Sequence, residues 1–384
     1  MDFGLSDGQR LLQHSARDFF ATECPPALVR DATDDRHAFP RVLYQKLARL
    51  GWLAVLIPEE FGGTGGSMLD AALLFEEAGR VALPGPLLAA ALLAPLAVRH
   101  AGSRSQKATW LPRLATGETL ATVAVLEEHE RYDAAGIRTR ARRVQGGYEL
   151  SGVKMFVPDA DAANTIIVAA TLASRTSSRR SGPAARVSLF LVDRDTPGVS
   201  IRPLHMIDRT RRMYEVRLRN ATVPARGRLG AEGAGWPVIE RLLDAAAIAL
   251  AADSLGGAER ALEMSVAYAR EREQFGRPIG SFQAIKHMAA EMVSEIEPAR
   301  SLVWYAAYAF DAQPRHAARA TSLAKARLGD VFSRTTNRAV QIHGGIGFTW
   351  EHDLHWWFKR AKWNEVAFGD PTYHRERLAA LDDF

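Results

Sequence analysis

Apolar residues in the first hundred positions recur every three to four places, over 7–21, 40–50, 68–81 and 86–100, and this spacing predicts amphipathic helices. Pro25-Pro26, Pro58 and the glycines between 62 and 66 punctuate them. The period then changes. Short β-type runs appear at 121–126, 148–156, 165–170, 187–192 and 214–218, separated by turn-forming pairs such as Gly146-Gly147 and Pro197-Gly198. An antiparallel β-domain is the expectation. From Trp236 helical spacing returns and lasts nearly to the end. Helices, then strands, then helices make the fold class α+β, with domains expected at 1–119, 120–231 and 232–384. The Ser- and Arg-rich segment 173–186 reads as an exposed loop between strands, its charge solvated.

Length and composition narrow the class. A chain of 384 residues is long enough for two or three cores, and 47% hydrophobic with 24% charged residues is the balance of a globular protein. The Ala-rich stretches 89–97 and 245–252 are too short to span a bilayer. The start, MDFGLSDGQRLLQHSARDFF, has early acidic residues and no signal-type apolar run, so a cytoplasmic protein without membrane contact is expected. Cys24 is the only cysteine, which excludes an intramolecular disulfide and a cysteine-built metal site. The net charge of +5 comes from scattered arginines, which either steer a polyanionic substrate or reflect an arginine-rich composition. No recognition motif accompanies the charge, so no nucleic-acid partner is expected.

Chemistry concentrates in two C-terminal segments. Arg272, Gln274 and Phe275 fall at the end of a helical run that Gly276 and Pro278 stop, and Ser281 is placed to cap a new helix through Phe282, Gln283 and Ile285. A guanidinium projected from such a turn suits a pyrophosphate through paired, charge-assisted hydrogen bonds. These segments, YAREREQFGRPIGSFQAIKHMAAEM from Tyr268 and QIHGGIGFTWEHDLHWWFKRAKWNEVAFGD from Gln341, closely resemble the signature regions of the acyl-CoA dehydrogenase family. The resemblance implies an N-terminal α-helical domain, a middle antiparallel β-domain and a C-terminal four-helix-bundle domain. It also implies FAD as cofactor, with Arg272, Gln274, Phe275, Gln341 and Gly345 (beside Gly344) reaching the FAD of a neighbouring subunit. His343 reads as a packed residue. The C-terminal helices carry Trp304, Trp350, Trp356, Trp357 and Trp363, and the resemblance implies that such helices also pack between subunits.

The same resemblance exposes departures. Family members remove the α-proton of the acyl thioester with a glutamate shortly after the KRAK element; the position resembling it here is Phe368, which cannot take a proton. The family's Thr-Glu-Pro and Ala-Gly-Ser-Asp elements, which meet the isoalloxazine, correspond to Leu126-Glu127-Glu128-His129-Glu130-Arg131-Tyr132-Asp133. The Lys-x-Trp-Ile-Thr pattern is matched by Lys154-Met155-Phe156-Val157-Pro158. There Phe156 retains an aromatic ring for the flavin, while Pro158 supplies neither hydroxyl nor N–H. In the helix beginning near Leu242, where some branches place an arginine or the glutamate itself, the sequence is Asp244-Ala245-Ala246-Ala247-Ile248. The run from Phe75 to Pro86 resembles bacterial members for bulky steroid side-chain CoA esters, which are built from two homologous chains, one of them carrying the base.

The expected function is α,β-dehydrogenation of an acyl-CoA in fatty-acid or steroid degradation. This chain would be the subunit lacking the catalytic glutamate in a heterotetramer with a base-bearing homologue, with electron-transfer flavoprotein as a further partner. Two alternatives stay open. One is an active homo-oligomer with a displaced base, first Asp370, then Glu365 or Asp244. The other is a related flavin oxidase or monooxygenase, or a structural paralogue. Against the displaced base, Asp370 before Pro371 also reads as a helix cap, and Glu365 as a solvated helix face.

Overall fold

The computed structural model describes residues 4–34, 39–129, 131–172 and 186–381; the loop expected at 173–186 falls, but for Arg186, outside them. The first layer is helical: α1 (Asp7–Glu23), α2 (Pro26–Asp34), α3 (Arg41–Arg49), α4 (Met68–Arg80), α5 (Ala94–Ala101) and α6 (Arg104–Ala115). Ser6, Ser67 and Ser103 close capping boxes at the starts of α1, α4 and α6, each satisfying two otherwise orphaned backbone donors. The proline pair read as a break does separate α1 from α2, and Pro26 opens the second helix, because proline at a first helical position costs no hydrogen bond. The helix expected over 86–100 is not uniform. Over Leu88–Leu93 it widens to a π turn in which the Ala94 N–H reaches back to Ala89, just before Pro95.

The strands β1 (Ala121–Ala124), β2 (Arg140–Val144), β3 (Gly147–Pro158), β4 (Thr165–Leu172), β5 (Val187–Asp193), β6 (Val199–Pro203), β7 (Met213–Pro224) and β8 (Arg228–Leu229) form one sheet. Its order is β6-β7-β3-β2-β4-β5-β8, with β1 beside β4. Hairpin pairings dominate, yet β1 and β2 both run parallel to β4, so the expected antiparallel sheet is a mixed one. Turn residues reported the β2–β3 hairpin; a pairing between strands distant in sequence leaves no such local mark.

The last layer is a bundle built on α7 (Gly235–Glu271), a helix of 37 residues. A short hairpin of β9 (Glu273–Gln274) and β10 (Arg277–Pro278) leads into α8 (Gln283–Ala312), α9 (Pro314–His343), α10 (Leu354–Val366) and α11 (Pro371–Leu381). Helices α4 and α7 cross at backbone contact. A Cβ on Gly79 would sit 2.1 Å from the Asp253 carbonyl oxygen, and one on Gly256 1.8 Å from that of Glu76. Glu76 and Glu77 are buried beside this crossing and neutralised by Arg300 (2.6 Å) and Arg17 (2.7 Å). That is the physical content of the Phe75–Pro86 run. Trp356, Trp357 and Trp363 are buried within the chain, whereas Trp350 is 54% exposed. One hydrophobic core joins the N-terminal helices, one face of the sheet and the bundle, and the site lies where the three meet.

Candidate active site and cofactor cradle

An apolar cavity of about 150 Å³ opens at that junction. Val123 and Leu126 line it from the end of β1, Phe156 and Pro158 from β3, Leu242 and Leu243 from the first turns of α7, and Trp363 and Phe368 from α10 and the turn after it. The structure thus gathers into one space residues from three of the four stretches read as departures, and the fourth, Asp244–Ile248, directly follows the lining residues Leu242 and Leu243. Among the described residues lining it, Tyr132 is the one titratable side chain. No carboxylate faces the cavity among them.

The three alternative bases are engaged elsewhere. Asp370 is exposed, and its carboxylate accepts the Tyr373 N–H at 2.7 Å, which makes it the cap of α11. Asp244 forms a 2.6 Å ion pair with Arg377. Glu365 lies 3.7 Å from Lys362, one turn earlier on α10, and does not line the cavity.

The wall itself is firmly built. Lys154, fully buried, donates to the Val125 carbonyl (3.0 Å) and to Glu127 (2.7 Å). Glu127 also accepts the N–H groups of Arg138 and Thr139 and the Thr139 hydroxyl. Burial by itself raises the Glu127 carboxyl, but the Lys154 ammonium and these donors hold it below its ordinary value. Burial pulls Lys154 down to about 8, with Glu127 opposing. Sequence reading missed this pair because its members are 27 residues apart and belong to motifs read for other reasons.

Backbone strain marks the same surfaces. Six non-glycine residues among those described have positive φ, and Phe156 (+52°), Phe368 (+57°) and Phe275 (+55°) are three of them. Phe156 and Phe368 border the cavity; Phe275 does not.

Phe275 belongs to a second cluster. It sits with Gly276 at the tip of the β9–β10 hairpin, both at positive φ, and is 93% exposed. The helix α7 ends at Glu271, so Gln274 and Phe275 lie on the hairpin beyond it, with Arg272 as the cap. Ser281 does not cap α8. Phe282 occupies that place without a side-chain bond, and the Ser281 hydroxyl is buried without a partner among the described residues. The Tyr268 ring stacks on His343 at 4.5 Å, which brings the end of α7 beside the end of α9 and sets Arg272, Gln341 and Gly345 at one end of the bundle. His343 is packed as expected: its Nδ1–H donates to the Ala339 carbonyl at 2.8 Å, and burial keeps the ring neutral.

This second cluster has the donor set of a nucleotide cradle. The Arg272 guanidinium is exposed and, among the described residues, unpaired. Gln341 is exposed, and the Gln274 amide is held by the Glu273 carbonyl at 2.7 Å. Gly344 adopts φ +66°, ψ −146°, a conformation reserved to glycine, and open space lies above both Gly344 and Gly345. A pyrophosphate with its ribityl and ribose hydroxyls fits these residues. The inner cavity fits the polar edge of a flavin poorly, since it offers hydrocarbon and aromatic faces and a proline where hydroxyls are wanted. The two clusters also cannot serve one cofactor molecule. Leu242 and Arg272 stand 30 residues apart on α7, so they are roughly 45 Å apart at 1.5 Å per residue.

A helical layer, a β-wall and a bundle thus meet at one apolar cavity. Sequence profiles for the acyl-CoA dehydrogenase N-terminal, middle and C-terminal domains match residues 6–118, 122–221 and 233–381, and the chain belongs to the acyl-CoA dehydrogenase family. It is 32% identical to acryloyl-CoA reductase (NADH) of Anaerotignum propionicum, over 99% of this chain and 95% of that protein. Its structure is similar to butyryl-CoA dehydrogenase of Megasphaera elsdenii, with a TM-score of 0.91 and 29% identity over the whole of both chains. It is also similar to a chain of the ChsE4-ChsE5 complex of Mycobacterium tuberculosis, with a TM-score of 0.87 and 27% identity over 99% and 98% of the two chains. Among the described residues no helix is long and apolar enough to cross a membrane.

Proposed function

We propose that this chain is the base-lacking subunit of a hetero-oligomeric, FAD-dependent acyl-CoA dehydrogenase, paired with a homologous chain that carries the glutamate. One observation carries the reading: no carboxylate is among the described residues lining the cavity beside Phe368, while Arg272, Gln341 and Gly345 gather at the opposite end of α7. Arg272 would hold the pyrophosphate of an FAD seated mainly in the partner, and Gln341 and Gly345 its neighbouring polar atoms. Phe275, 93% exposed, would cover it with its ring. When bound, FAD supplies the acceptor for the hydride leaving the β-carbon. The α-proton would go to the partner's carboxylate, and an electron-transfer flavoprotein would collect the electrons. The likeness to a chain of a two-protein complex supports the heteromeric form.

Arg272→Ala tests the cradle. It should lower FAD affinity of the co-purified complex by about 1.5–3 kcal/mol, the range for hydrogen bonds to charged groups. Arg272→Lys should restore only part, because a point charge cannot reproduce paired bonds. Equal flavin retention by wild type and both variants, read by fluorescence after dialysis, rejects the assignment.

A further inference from the structure

The turn that replaces the catalytic base is held by two buried side chains with no part in the chemistry so far described. Lys325 of α9 is 1% exposed and donates to the carbonyls of Glu365 (3.1 Å) and Gly369 (2.7 Å). His374 of α11 is also 1% exposed; its Nε2–H donates to the Phe368 carbonyl at 3.1 Å, and its Nδ1 accepts from the Ser322 hydroxyl at 3.2 Å. Three carbonyls of one turn are therefore drawn to the side where α9 and α11 lie. Neither helix contributes a residue to the cavity wall, to which the turn itself gives Ala367 and Phe368.

In a trans peptide the N–H points opposite to the C=O. With the Phe368 carbonyl on His374, the Gly369 N–H is aimed away from the clamp, and it has no acceptor among the described residues. The Phe368 N–H has none either. Phe368 at φ +57° and Gly369 at φ +99° hold this arrangement against its strain. Gly369 has no substitute, because a Cβ there would lie 2.3 Å from the Tyr373 ring and 2.9 Å from His374 Nε2.

We propose that Lys325 and His374 are positioning residues that keep the N–H groups of the Phe368–Gly369 turn free to donate to the carbonyl oxygen of an acyl thioester. This chain thus binds an acyl-CoA in its own cavity without deprotonating it. The inference rests on the acyl-CoA reading above. Burial pulls the Lys325 ammonium down to about 7, with Asp370 and Glu365 opposing. Of the neighbouring charged groups, Lys362 of α10 lies 3.7 Å from Glu365, and Arg377 of α11 pairs with Asp244 of α7 at 2.6 Å. His374, held down to about 3 chiefly by burial, stays neutral throughout the physiological range. The clamp therefore weakens as pH rises through about 7 and Lys325 loses its proton.

The test uses the full chain in its purified assembly and butyryl-CoA labelled with carbon-13 at the thioester carbonyl, read by infrared difference spectroscopy. Saturable binding should move the carbonyl band to lower wavenumber than in buffer, and the displacement should fade between pH 6 and pH 9. Lys325→Met and His374→Phe should each return the band toward its buffer position and weaken binding about tenfold, as expected for loss of one net hydrogen bond to a polar partner. Lys325→Arg should keep the displacement and remove its pH dependence; that comparison decides if the Met variant does not fold. An undisplaced band, an identical displacement in Lys325→Met, or no saturable binding overturns the proposal. FAD content of the same samples reports on the family reading separately. Flavin retained with an undisplaced band condemns only the clamp.

Discussion

Asp253→Ala should destabilise the fold by about 3–5 kcal/mol, the range for stripping one partner from a buried ion pair. Asp253 is fully buried on α7, and its carboxylate accepts from Arg360 Nε (2.8 Å) and Nη2 (2.5 Å), Arg211 Nη2 (2.6 Å) and Asn364 (2.8 Å). Arg360, also fully buried, donates onward to the Thr210 hydroxyl (2.8 Å) and the Leu83 carbonyl (3.2 Å). One carboxylate thus ties the bundle to the β6–β7 connection and, through Arg360, to the segment after α4. Alanine would leave two buried guanidinium groups without the carboxylate they bond directly, with Asp208 and Asp159 the remaining acidic groups nearby. Against a typical total of about 5–15 kcal/mol, that loss is severe. Asp253→Asn should cost less, because an acceptor oxygen remains. Urea midpoints at an unchanged m-value measure both variants. A shift under about 1 kcal/mol would put the cluster on a level with an exposed pair.

The same cluster sets a pH dependence. Burial alone would raise the Asp253 carboxyl, but Arg360 and Arg211 hold it below its ordinary value. A depressed carboxyl pKa contributes stability that is fully present above the unfolded value, near pH 4, and is lost as pH falls through the folded value. Wild-type protein should therefore lose stability more steeply below about pH 4 than Asp253→Asn does.

Local signals in the sequence located much of this molecule, and long-range pairings account for what they missed. Helical spacing found α1, α3 and α4, and simple counting along a dense motif set Phe368 at the position resembling the family's base. The turn after α7 was legible from Gly276 and Pro278, but the β9–β10 hairpin within it was not. The Asp253–Arg360 pair was not, since its members are 107 residues apart and each alone reads as a charged helix position. Asp244 and Asp370 were open candidates for a base until the fold gave each a partner, Arg377 in one case and the first turn of α11 in the other. Ser281 failed as a cap because the segment Ile279–Ser281 forms its own 3₁₀ turn, which moves the start of α8 one residue on. Lys325 gave no signal at all: a lysine in an Ala-rich helix is ordinarily a solvated one, and only packing of α10 and α11 against α9 buries it.

Purified alone, the chain should turn over acyl-CoA more slowly than a base-bearing relative by roughly 10²–10⁴, the usual contribution of a positioned general base. It should also retain little FAD, because the cradle it keeps faces outward and the cavity it encloses lacks polar partners for a flavin. Co-expression with a glutamate-bearing homologue should restore turnover with about one FAD per pair of chains, against one per chain if both cavities were competent. Phe368→Glu in this chain should recover little. The φ of +57° is already the strained value, so the backbone need not change, but a new carboxylate there would enter an apolar space whose walls raise its pKa and hold no flavin ring beside it. Removing the partner's glutamate should abolish turnover while the flavin stays bound, which separates loss of the base from loss of the cofactor. One FAD per chain in a purified homo-oligomer, with turnover of any acyl-CoA, would falsify the division of labour. Asp370→Asn would then be the variant to measure, although a residue that caps α11 from the surface would have to leave its helix to reach the cavity.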